Sequence, residues 1–239
     1  MSGPQNPEAG EELATVLSNL GDGAPTPEVP AFDALAQQLD AERGPMAWLR
    51  SRSTRERMGI LVAAAAAVAV IAGTMGGWAD VEKVTQTGFL LELVLLSGFA
   101  LVAMSASLRG LQHAEIPRWA GWALVGATLG VPVAIGIAPM LSGVVSTGEA
   151  TLRDALGCLC YGLSISAPVL AVAWVLDRRS WRGSTTVRYA ASAAGLAGLV
   201  GLQLHCPVHE TEHLMSGHVP VVFAMLGTAG LLHMVLRRP

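Results

Sequence analysis

The stretch LHCPVHETEHLMSGH, Leu204 to His218, gathers one cysteine, four histidines and two glutamates between two apolar runs. The whole chain of 239 residues holds only three cysteines and six histidines. Neutral imidazole and thiolate are the natural ligands of zinc, copper and their heavier relatives. His205, His209 and His213 are spaced four apart, so a helical turn would align them, although Pro207 interrupts such a helix. A further cysteine, Cys158, opens another apolar run, and antiparallel neighbouring helices would bring the sulfurs of Cys158 and Cys206 to one depth. Two outcomes stay open for that pair: thiolate ligation of a metal, or a disulfide if the Cα atoms approach within about 7 Å. Cys160 falls on a different helix face from Cys158 and reads as a packed apolar side chain. The expected metal or redox site is therefore Cys158 and Cys206 with His205, His209 and His213. No cofactor is required; a soft divalent metal such as zinc, copper or cadmium is the expected ligand.

What positions these residues follows from composition. Half the residues are apolar (52%), 14% are charged, and mean hydropathy is +0.49. A soluble domain of this length needs a more polar surface. The apolar residues cluster into six runs, at about 58–78, 89–108, 119–141, 155–176, 189–206 and 218–236, each near the ~20 residues that a helix needs to cross the hydrocarbon core. Lipid leaves no partner for free backbone groups, so such runs are helices. The fold class expected is all-α: a polytopic six-helix transmembrane bundle, with an alternative count that merges the last two runs into a re-entrant hairpin. No signal peptide opens the chain, whose first apolar run begins only near Met58. Twelve arginines flank the runs on one side of this topology, from Arg50 to Arg238, against Lys83 and Arg153 on the other. The positive-inside rule then predicts a bacterial inner-membrane protein with both termini cytoplasmic and the Cys/His connection outside.

The first 42 residues carry eight acidic side chains and no lysine or arginine. Leu13, Val16, Leu17 and Leu20 form one short apolar helical stripe, and Phe32, Leu35 and Leu39 a second, separated by the proline-rich linker GDGAPTPEVP. Helices this short cannot bury a core alone. The division expected is a helical or partly disordered cytoplasmic head, residues 1–57, and a six-span domain, residues 58–239. Apolar anchors in an acidic envelope suit a segment that folds on a basic partner, such as a nucleic-acid-binding protein. The head itself is too acidic to bind nucleic acid directly.

The membrane half offers no catalytic constellation, so an enzyme is not expected. Ala191, Ala194, Gly195, Ala197, Gly198 and Gly201 make overlapping small-residue pairs in the fifth run, a close-packing face. Glu92, the one carboxylate well inside a run, is a functional candidate because burying it in lipid is expensive, and equally a hydrogen-bonded structural residue. A metal transporter or channel using Glu92 and the Cys/His cluster as its entry site is the alternative function.

LHCP at the end of the fifth run and CLCYGLSISAP in the fourth, with six spans and a short head, resemble the NrsF-like family of membrane anti-sigma factors, related to the CarR type. The resemblance covers most of residues 45 to 239. It implies that the head sequesters an extracytoplasmic-function sigma factor and that two outward cysteines, matching Cys158 and Cys206, respond to metals or oxidants and release it. The longer acidic head and the added His209, His213 and His218 depart from the family's pattern and bear on the inducing signal.

Overall fold

The computed structural model describes residues 48–49, 51–77, 87–108, 116–143, 152–177, 184–206, 208 and 210–236. Residues 1–47, with Leu13, Val16, Leu17, Leu20, Phe32, Leu35 and Leu39, lie outside the described residues, as do His209 and most of the arginine-rich connections. Among the described residues there is helix and no strand. The long helices are α1 (Thr54–Gly76), α2 (Thr87–Ser107), α3 (Arg118–Leu141), α4 (Leu152–Asp177), α5 (Ser184–His205) and α6 (Val219–Leu236). A short α-turn, Thr211–His213, and a π-helical turn, Leu214–His218, lead directly into α6.

Local chemistry sets where the helices begin. Ser53 caps α1: its hydroxyl accepts from the Glu56 amide, and the Glu56 carboxylate accepts from the Ser53 amide at 2.9 Å. This reciprocal box satisfies donors that a helix start leaves orphaned, so α1 begins four residues before its apolar run. Pro132, Pro139 and Pro168 lie within α3 and α4 without ending them.

Contacts at the helix ends fix the direction of each pass. The start of α1 meets the end of α4, where Arg57 donates to the Leu176 carbonyl at 3.5 Å. At the opposite end, His205 closes on the Gly77 carbonyl beyond α1, and Glu92 near the start of α2 meets Gln203 near the end of α5. Arg188 of α5 lies over the Trp122 ring near the start of α3. The end of α3 is pinned to the entrance of α6, the Met140 amide donating to the Thr211 hydroxyl at 3.2 Å. Each helix therefore runs opposite to the one before it. One end of the bundle carries Arg52, Arg57 and Arg188 with Trp48, Trp119 and Trp122; the other carries Cys158, Cys206, His205 and His213 of the expected site.

Among the described residues, five helical segments are long and apolar enough to cross a membrane: Thr54–Thr74, Gly88–Ser107, Trp119–Leu141, Leu152–Leu176 and Thr211–Val235. Their outward faces are apolar too, Leu91, Val94, Leu231 and Met234 each being at least 60% exposed. This is the build of a multi-pass membrane protein, because water does not tolerate so continuous an apolar surface. The expected count of six is met in part. The fifth helix is long and distinct from α6, yet it falls short in apolarity. Position accounts for the shortfall. Packed against α2, α4 and α6, α5 is buried along nearly all of Val187 to Gln203, so its neighbours shield its polar residues from lipid.

Glycines bring those neighbours close. A Cβ on Gly198 would collide with the Ser166 hydroxyl and lie 2.6 Å from the Gly162 carbonyl of α4; one on Gly201 would collide with Ile165. Gly195 approaches the Val222 backbone of α6. Around α5, two apolar clusters form the interior. Leu61, Met104, Val169 and Val187 lead the one toward the arginine end, and Leu96, Leu199, Leu202 and Val221 the one toward the cysteine end.

Candidate metal and thiol site

Cys158 sits in the second turn of α4. Cys206 follows the last residue of α5 and continues its ladder, its amide donating to the Leu202 carbonyl at 2.7 Å. The two sulfurs are 3.5 Å apart, with the Cys158 thiol donating to the Cys206 sulfur. His213, in the short turn before α6, places Nε2 3.3 Å from each sulfur. His218 completes the group: one ligand atom from each of Cys158, Cys206, His213 and His218 falls within 4.8 Å of all the others. Both histidines and Cys206 are buried, and Cys158 is half-buried.

The π-helical turn is what brings the two histidines to one site. On an α-helix, residues five apart point about 140° away from each other. Here the Val219 amide reaches back to the Leu214 carbonyl, an i→i+5 bond that widens the turn. The rings of His213 and His218 then meet edge to face with centroids 5.6 Å apart. Gly217, inside this turn, lets it lie against the first turn of α4. Its Cβ position is 3.0 Å from the Ala155 carbonyl and 3.3 Å from Cys158 Cβ.

These distances can be set against a metal's needs. A tetrahedral zinc ion with arms of about 2.3 Å to sulfur and about 2.0 Å to nitrogen has S–S edges of about 3.7 Å and S–N edges of about 3.5 Å. The observed 3.5, 3.3 and 3.3 Å lie within a few tenths of those edges. Two thiolates and two imidazoles are a familiar zinc set, and the four ligand atoms lie within 4.8 Å of one another. The group can hold a metal ion. The Cys206 thiol, just beyond the end of α5, is held well below its ordinary value, chiefly by the hydrogen bond from Cys158 and further by His218, against the opposing effect of burial. The hydrogen bond from Cys158 favours Cys206 as the sulfur that a cation or an oxidant would meet as thiolate.

The structure brings together Cys158, Cys206 and His213 of the expected set, and adds His218, which the sequence reading leaves out of it. His205 stands elsewhere. It stacks on Tyr161 at 4.1 Å between centroids and holds its Nδ1 2.7 Å from the Gly77 carbonyl. Neighbours on a helix point about 100° apart, so His205 and Cys206 cannot both face the α4 thiol. The four-residue spacing of His205, His209 and His213 has no helix to act on, since α5 ends at His205 and helix resumes at Thr211. The signal for His218 is present as a second histidine five residues after His213, legible only once the turn is known to be π-helical. Glu92 is outside the four-ligand group, its carboxylate accepting from the Gln203 amide at 3.3 Å. Cys160 is exposed on the outside of α4.

No protein-family model, curated protein or solved structure matches this chain.

Proposed function

We propose that this chain is a six-span, membrane-bound anti-sigma factor whose Cys158–Cys206–His213–His218 site senses a soft metal or an oxidant. The single observation that carries the sensing half is the convergence of those four side chains at one end of the bundle, at the junction of α4, α5 and the entrance to α6. A metal there ties three elements together and a disulfide ties two, α4 and α5, which run the whole length of the bundle to the opposite end. That is a physical route along which occupancy of the site shifts the arrangement of the other end, provided the two states differ in affinity by a few kcal/mol. The basic asymmetry supports cytoplasmic termini and an outward site.

The head supplies the other half. Its eight carboxylates complement the basic surface of a sigma factor, and its two apolar stripes supply buried anchors. Affinity capture of the full-length protein from membranes of its native host tests this assignment. An extracytoplasmic-function sigma factor in the eluate, released by metal or oxidant, is expected. Capture of no sigma factor from either untreated or stressed cells would overturn it.

A further inference from the structure

Gln203 precedes Cys206 by three residues, which places both on one face of the end of α5. It is buried, its amide nitrogen donates to Glu92 Oε2 at 3.3 Å, and its Oε1 has no hydrogen-bond partner among the described residues. His218 is buried as well, and its Nε2 has none. Both residues border one small cavity, lined otherwise chiefly by apolar side chains including Leu96, Pro132, Ile135 and Leu199. Its volume is ≈ 10 Å³, about the room that one water requires where polar partners await it. An imidazole that ligates a metal through one nitrogen presents an N–H on the other, and that N–H needs an acceptor.

We propose that one water in this cavity joins Gln203 Oε1 to the His218 ring, making Gln203, itself oriented by Glu92, a positioning residue for a metal ligand. This rests on the metal-binding reading of the site. The donors then run one way: imidazole N–H to water, water to the Gln203 carbonyl, Gln203 amide to the Glu92 carboxylate. Bonds aligned like this strengthen one another, and the carboxylate at the far end makes the imidazole a better ligand. This hydrogen-bond chain also gives a half-buried glutamate and a buried glutamine near the end of the bundle a common purpose.

The test uses the full-length protein in lipid nanodiscs. Zinc affinity is read by competition with a chromophoric chelator, and the ligand set by the absorption of bound cobalt(II). Gln203→Leu should weaken zinc binding about 10–100-fold. Its thiolate-to-cobalt charge-transfer band should persist, because both sulfurs still ligate, while the ligand-field bands change. Glu92→Leu should behave alike, and Glu92→Gln, which still accepts from the Gln203 amide, should recover most of the loss. Gln203→Met, similar in volume but without the acceptor, gives a second reading should Gln203→Leu lose its helical circular dichroism. Wild-type affinity and an unchanged cobalt spectrum in the Gln203 variants would overturn the positioning role and leave the metal site standing. Failure of the wild-type protein to bind zinc or cobalt would remove the metal reading itself, and this inference with it.

Discussion

Exchanging the roles of two histidines gives the sharpest prediction. His218→Ala removes one of four converging ligands, whereas His205→Ala removes a ring that stacks on Tyr161 and faces the Gly77 carbonyl. A complete four-ligand zinc site binds with about 10–16 kcal/mol at neutral pH, or roughly 2.5–4 kcal/mol for each ligand. Water entering the vacated position returns part of that, so His218→Ala should weaken zinc about 100-fold, close to 3 kcal/mol. His205→Ala should leave zinc affinity within about threefold and lower stability by about 1 kcal/mol through the lost hydrogen bond and stacking. The assay is chelator competition on the full-length protein in nanodiscs, with thermal unfolding measured in parallel. In that second readout saturating zinc should raise the Tm of the His205 variant as it does that of the wild type. An equal loss of affinity in both variants would refute the assignment of His218 over His205. So would a His218 variant that binds zinc like the wild type.

Zinc affinity should rise with pH, because the thiol proton that Cys158 donates to Cys206 must leave when both sulfurs ligate; one proton gives about tenfold per pH unit between roughly pH 7 and 8. A hundredfold rise, measured by the same competition, would show both thiols protonated in the free site. Gly198→Leu should destabilise the protein by about 3 kcal/mol or more, since the new side chain enters space held by Ser166 and the Gly162 carbonyl. Gly126→Ala, on an open face of α3, should keep or slightly raise the Tm, because alanine favours a helix interior over glycine by up to about 1 kcal/mol. Peroxide or diamide should join Cys158 to Cys206, the sulfurs needing to close from 3.5 Å to about 2.05 Å. Bound zinc should slow that oxidation, read by mass spectrometry of alkylated peptides; oxidation at the same rate with saturating zinc would mean the two ligands do not share one site.

Hydropathy made the apolar helices and their alternation legible, because lipid forces long uninterrupted apolar runs to be helical. The same reasoning counts α5 as one more span and its small residues, Ala191 to Gly201, as a close-packing face. They do line a helix sheathed by its neighbours, and only the three-dimensional packing shows which helices do the sheathing. At the site, Cys158 and Cys206 were readable from topology, since antiparallel helices bring the start of α4 beside the end of α5. His213 was named for a helical spacing that does not exist; it meets the sulfurs because helix resumes at Thr211. His218 was hidden by the apolar run that it opens. A residue five positions from another ligand looks misaligned on an α-helix and becomes aligned only on the wider turn. Glu92 was singled out as an expensive carboxylate, and its partner, Gln203, carries no signal in sequence beyond its three-residue distance from Cys206.

The central claim is that the two sulfurs translate an outside stress into release of a sigma factor. Transcription from a reporter promoter of that sigma factor, in cells carrying the full-length protein with Cys158→Ser and Cys206→Ser, tests it most directly. Repression in unstressed cells should match the wild type, and cadmium or peroxide should produce no induction. A double variant that represses normally and still responds to both would contradict it.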